Sequence, residues 1–129
     1  MLSGVRQPEV EESYSYSNVF FDSYDEIRAH LKEKVADLEA QGKTVTVSEY
    51  PIDAQDDLYI DTIYLPSSEK QEDLVVLTTG VHGMEGYIGS VMLDVFFDEV
   101  YPTIDTEKVG VLVVANINPY GMKYKRRNN

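Results

Sequence analysis

Within residues 74–97, LVVLTTGVHGMEGYIGSVMLDVFF, a histidine and a glutamate stand three positions apart, His82 and Glu85. They sit among glycines at every third position, Gly80, Gly83, Gly86 and Gly89, directly after an apolar run. If the turn is helical, this spacing puts both side chains on one face. An imidazole nitrogen and a carboxylate oxygen could then address one metal ion. Zinc accepts that mixture, and catalytic zinc sites typically use three protein ligands beside an open position. The glycines would let the backbone turn sharply and the next helix pack close. The same letters also fit a histidine at a helix start, with Glu85 favoured by the helix dipole.

Other chemistries fail on this stretch. A dinucleotide fingerprint needs G-x-G-x-x-G, but His82 stands where the second glycine belongs and would block approach to a pyrophosphate. No Gly-Lys-Ser/Thr ending exists for a phosphate loop, and no serine stands between glycines as G-x-S-x-G. Ser90 reads as an ordinary helix residue.

The elements that would position these residues can be read from periodicity. Ser23 and Glu26 have capping-box spacing, and Tyr24, Ile27, Leu31, Val35 and Leu38 follow as one helical stripe. Gly42 is a natural stop, and His30 borders the stripe as a surface or boundary residue. TVTVSEYP and LYIDTIYL read as an antiparallel strand pair across the polar loop IDAQDD. LVVLTTG reads as a central strand covered on both faces, and VGVLVVANIN as another. Between them lies a helix whose apolar side should be Ile88, Met92, Val95 and Phe96. Strand, helix, strand makes a parallel unit. The fold class is therefore α/β, a mixed sheet with a βαβ unit and an antiparallel pair. In such sheets the loops leaving the carboxyl ends share a ligand-binding edge. His82 and Glu85 should meet the segment NPYGMKYKRRNN there.

Composition sets the outer limits. The chain has 129 residues, 43% hydrophobic and 26% charged, which suits one soluble domain. A net charge of −12 argues against nucleic acid and anionic membrane surfaces as partners. Residues 117–129 run the other way, with Lys123, Lys125, Arg126 and Arg127 and no acid. Without cysteine there are no disulfides or thiolate metal sites. The N-terminus lacks the pattern of a signal peptide, and no apolar stretch approaches ~18 residues, so a cytoplasmic location is expected. Residues 1–20 read as an irregular arm and residues 21–129 as the domain. Two helices cannot cover both faces of a four-stranded sheet with two such apolar strands, so the chain reads as cut short. An exposed strand edge would then favour self-association.

TGVHGMEGYIGS followed one strand later by NINPYGMKYKRRNN resembles the zinc carboxypeptidase family, closest to its bacterial branch known as a domain of unknown function. The likeness covers residues 20–129, including the leading helix and the antiparallel strands. It implies the N-terminal part of a zinc-carboxypeptidase-like fold, with His82 and Glu85 as the first two zinc ligands. Arg127, with Arg126 as the fallback, would polarise the scissile carbonyl and bind substrate, a task suited to a rigid, permanently charged fork. Asn118 to Gly121 would shape a turn. The implied reaction is hydrolysis of a peptide or acylated amino acid by a metal-activated water. The family's third ligand, its general base and its carboxylate-binding Asn-Arg pair have no counterpart in this chain. That leaves two other expectations open: an N-acyl amino acid amidohydrolase on the same fold, or a non-catalytic binding or assembly module.

Overall fold

The computed structural model describes residues 20–128. The expected arm over residues 1–20 therefore lies, except for Phe20, outside the described residues. The first element is α1, Tyr24–Ala40. The Ser23 hydroxyl accepts from the Glu26 N–H at 3.1 Å, but the Glu26 carboxylate accepts from Asp22 rather than from Ser23. The box is thus displaced by one residue at its outer end. Tyr24, Ile27, Val35 and Leu38 are buried as the periodicity requires. Gly42 follows the helix at φ +83°, a conformation that suits a residue without a side chain.

The strands are β1, Thr46–Asp53; β2, Leu58–Leu65; β3, Asp73–Thr78; and β4, Val109–Ala115. They form one four-stranded mixed sheet in the order β1-β2-β4-β3. β1 pairs antiparallel with β2, as the sequence indicates. β4 pairs antiparallel with β2 and parallel with β3. α2, Gly86–Val95, connects β3 to β4 and runs on into a π-helical turn, Phe96–Val100. A short α3, Pro119–Lys123, follows β4.

One face of the sheet carries the core. Ile63, Leu65, Val111, Val113 and Ala115 pack there against Val35 and Leu38 of α1 and Leu93, Phe96 and Phe97 at the end of α2. A smaller cluster, Tyr24, Ile27, Leu58 and Met122, closes the carboxyl end. Burying a large aliphatic or aromatic side chain is worth about 1.5–3 kcal/mol, so this single layer supplies most of the driving force. α1 is also pinned by polar contacts. The Tyr24 hydroxyl donates to the Tyr59 carbonyl and accepts its N–H, at 2.9 and 3.0 Å.

Two expectations are corrected. β3 is an outer strand, because β4 inserts between it and β2. Its Leu74 and Val76 point to the helix-free face and are exposed. The buried side of α2 is also different. Gly86, Ser90, Val91, Leu93 and Asp94 are covered; of the expected side Phe96 is buried and Val95 half-buried, whereas Ile88 and Met92 are 60% and 59% exposed. The close approach of Gly89 to Thr79 rotates the helix, bringing its glycine and serine side rather than its bulky side to the sheet.

Candidate functional site

The carboxyl ends of the parallel strands β3 and β4 carry the two segments of interest. They continue to pair beyond the strands. Ile117 N–H donates to the Thr79 carbonyl at 3.0 Å, and Asn118 N–H to the Gly80 carbonyl at 2.6 Å. Gly80, at φ +70°, turns the chain out of β3. Asn118 then starts α3, its side-chain oxygen accepting the Gly121 N–H at 2.9 Å. Asn118 thus shapes a turn, in the role the sequence gives it.

Met122 locks these segments together. It is fully buried, and a side-chain atom added at either Gly80 or Gly86 would lie within 3 Å of its sulfur. Its carbonyl accepts the Tyr87 hydroxyl of α2 at 2.9 Å. Gly83 packs backbone to backbone on Gly121 and the Arg126 carbonyl, leaving no room for a larger residue. Gly83 N–H also donates to the Arg127 carbonyl at 3.1 Å.

These backbone contacts bring three side chains to one point. His82 Nδ1 lies 3.9 Å from Glu85 Oε1, and Arg127 Nε lies 3.6 Å from that same oxygen. Glu85 is the residue before α2 and makes no side-chain cap to its amides, so its carboxylate is directed at His82 and Arg127 instead. All three side chains are about half exposed. As ion pairs alone such contacts contribute at most ~1 kcal/mol.

A nitrogen and a carboxylate 3.9 Å apart lie near the ~3.4 Å separation of two donors on one tetrahedral zinc. Their chemistry fits that ion, and they supply two of the three ligands that a catalytic zinc needs. Among the described residues no group of three or more His, Cys, Asp or Glu is placed to hold a metal.

The rest of the basic segment divides. Lys123 is tied to Asp56 at 2.8 Å, and the Tyr124 hydroxyl donates to the same carboxylate at 2.6 Å. Hydrogen bonds from Lys123 first, then Tyr124, hold the Asp56 carboxyl below its ordinary range. Asp56 in turn raises both partners. Arg126 stacks over Tyr120 at 5.8 Å and Lys125 over Tyr87 at 6.0 Å. Arg127, not Arg126, is the arginine in contact with Glu85. Beside this edge, Ile52, Leu58, Ile117 and Tyr120 line an open concavity of about 500 Å³.

Beneath the edge runs a polar network that the sequence reading missed. Arg28 grips the buried Asp61 with Nε and one terminal nitrogen, both at 2.9 Å, and reaches Glu49 at 2.6 Å. The hydrogen bond to Asp61 is the main cause that raises the Arg28 pKa above its ordinary value. Asn116 adds its Nδ2 to Asp61 at 2.8 Å, while its Oδ1 has no hydrogen-bond partner. Asn116 is held at φ +61° where β4 ends. His30 bridges both oxygens of the buried Asp94 at 2.8 Å and so joins α1 to α2. In sequence, Asp61 could have been found as a lone acid at a position that the strand period assigns to the interior, whereas Asp94 could not, because the apolar stripe of Ile88, Met92 and Phe96 puts it on the opposite side of the helix.

No helix among the described residues is long and apolar enough to cross a membrane. No curated protein and no solved structure matches the chain. A family model matches residues 20–129, which include the whole His82–Glu85 and Asn118–Arg127 arrangement. On that match, the chain belongs to the family described as Protein of unknown function (DUF2817).

Proposed function

We propose that this chain forms part of a zinc-dependent, carboxypeptidase-like hydrolase that cleaves an amide bond in a peptide or acylated amino acid. The observation that carries the reading is the convergence of His82 and Arg127 on Glu85 at the carboxyl edge of β3 and β4. His82 and Glu85 would hold the metal, which needs a third ligand and a general base besides; no group of three possible ligands is placed together among the described residues. Zinc supplies Lewis acidity that makes water nucleophilic near neutral pH. Arg127 would orient the scissile carbonyl and stabilise the negative charge that develops on its oxygen, through a charged donor that needs no reorganisation. The concavity beside Tyr120, lined by Ile52, Leu58 and Ile117 together with the polar Asp53 and Asn118, would receive the substrate's side chain. The expected setting is the cytoplasm, where a cysteine-free chain has no disulfide to lose.

The test is zinc titration of the chain by calorimetry. Weak binding that a mild chelator reverses is expected, and His82→Ala or Glu85→Gln should weaken it at least about tenfold. Unchanged zinc affinity in both variants would overturn the reading.

A second reading is a non-catalytic binding or assembly module. The exposed apolar residues on the outer strand β3 favour it. Hydrolysis by a longer polypeptide that is lost with His82→Ala would exclude it.

A further inference from the structure

β4 breaks its own alternation where it ends. Ala115 stands opposite Asp61 in the register, on the helix-covered face of the sheet. Strict alternation would send the next side chain, Asn116, to the other face. Instead Asn116 adopts φ +61°, a conformation that asparagine visits more readily than most residues, and its Nδ2 donates to Asp61 at 2.8 Å on the helix side. That bond fixes which way round the amide lies, because the reverse orientation would set its oxygen against the carboxylate. Oδ1 therefore points away from Asp61. It has no hydrogen-bond partner among the described residues, although Asn116 is 0% exposed. A buried acceptor left in that condition is costly.

Asn116 lines a small space between α1, α2 and the end of β4. Beside Leu93 and Ala115, the lining includes His30 and Lys34 from α1 and Ser90 and Asp94 from α2. The part open to a water-sized sphere is about 10 Å³, at the lower end of what one water needs and too little for any larger molecule. The bonds already made decide what an occupant must offer. Ser90 Oγ gives its proton to the Gly86 carbonyl at 2.9 Å and keeps its lone pairs. His30 commits Nε2 to the two oxygens of Asp94. Asn116 Oδ1, Ser90 Oγ and the Asp94 carboxylate are thus all acceptors. Lys34 has donors to spare after its 3.0 Å bond to Asp98.

We propose that this space is a binding site for one water molecule, which donates to Asn116 Oδ1 and Ser90 Oγ and accepts from Lys34. Roughly three hydrogen bonds is the usual complement of a buried water. The acceptors select this ligand. An anion would be repelled by them, and an apolar atom would leave Oδ1 unpaired. Once bound, the water completes a single polar chain from Arg28 through Asp61 and Asn116 to Ser90, and on α2 Asp94 extends it to His30. Four elements, α1, β2, β4 and α2, are thereby tied together beneath the rim. Asn116 is the residue just before Ile117 and Asn118, whose N–H groups pair with Thr79 and Gly80. The water thus steadies the base from which both rim segments depart, and it does so whether or not the rim holds a metal.

A high-resolution crystal structure of the chain should show one ordered water within about 3 Å of Asn116 Oδ1. In solution, the Asn116 side-chain amide protons should show a nuclear Overhauser effect to a slowly exchanging water. Ser90→Thr adds a second measurement, because it keeps a hydroxyl for the Gly86 carbonyl and brings one methyl group into the space. With a water there, the methyl displaces it, Oδ1 loses its partner, and the folding equilibrium constant in urea denaturation should fall about tenfold. In a dry space the same methyl would fill a cavity, and the constant would hold or rise. No density near Oδ1, no Overhauser effect to water, or a Ser90→Thr chain at least as stable as the wild type overturns the proposal. If Ser90→Thr fails to fold, the density and the Overhauser effect in the wild type still decide.

Discussion

The N–H of Gly83 donates to the carbonyl of Arg127 at 3.1 Å, so the loop after β3 and the segment after α3 are joined through their backbones. The guanidinium that reaches Glu85 is carried by the residue whose carbonyl anchors that loop. The side-chain geometry therefore depends on a position with no side chain.

Gly83→Ala is expected to break this arrangement. The added methyl would overlap Gly121 and the Arg126 carbonyl, and both obstacles are backbone. Overpacking of this kind costs about 1–3 kcal/mol, and here relief requires the two segments to part. Urea denaturation should show the lowered stability, and the Arg127 resonances should lose their proximity to Glu85. Gly42→Ala is the contrast, because nothing lies within 4 Å of the added atom and only its positive φ is strained.

Arg28→Ala should be the most damaging polar truncation. It strips Asp61, which is 4% exposed, of its two charged hydrogen bonds. Breaking a buried pair from one side costs about 3–5 kcal/mol. Replacing both members, Arg28→Leu with Asp61→Leu, should recover much of that loss. Chemical denaturation of the single and double variants checks it. Asn116, which donates to the same carboxylate, sets how complete the recovery is.

The Asp56–Lys123–Tyr124 tie should have two pH limits. The Asp56 pKa is lowered from 3.8, so its contribution is present above that value and is lost as pH falls through the folded pKa. Lys123 and Tyr124 are raised from 10.5 and 10.0, so theirs is present below those values and is lost as pH rises through the folded ones. Protection of the α3 amides, taken relative to their intrinsic exchange rate, should therefore fall below about pH 4 and again above about pH 10. Asp56→Asn should remove the acid limb.

In a hydrolytically competent form of the protein, Arg127→Ala should lower kcat by about 10²–10³, the usual effect of losing an oxyanion donor. Arg126→Ala should leave kcat within a few-fold, since Arg126 rests on Tyr120. Steady-state kinetics on an N-acyl amino acid and a short peptide would separate the two arginines. A larger loss in Arg126→Ala would reverse the assignment.

How much of this was legible in the sequence depended on whether one short-range rule decided each position. The stripe from Tyr24 to Leu38 obeys the helical period, and α1 follows it. The antiparallel partnership of β1 and β2 follows from alternation and a short polar loop. Strand order did not follow, because β4 enters between β2 and β3 and no local feature of β4 records its neighbours. For the same reason β3, apolar on both sides, reads as central although it is outermost. The apolar stripe of α2 was visible, but not its direction, which the contact between Gly89 and Thr79 determines. At the site, His82 and Glu85 were named by type and spacing, and Arg127 only through the family resemblance. The network of Arg28, Asp61 and Asn116 was not, because its members come from three elements far apart in sequence.

Met122 has a further effect on how the rim can move. Its thioether fills the space that Gly80 and Gly86 leave open, so neither segment can swing outward without vacating a methionine-sized hole. Rearrangement at this rim is thereby confined to torsions of His82, Glu85 and Arg127 over a stationary main chain. Oxidation of that one sulfur to a sulfoxide would insert a polar oxygen between the two glycines and force apart the segments it now clasps.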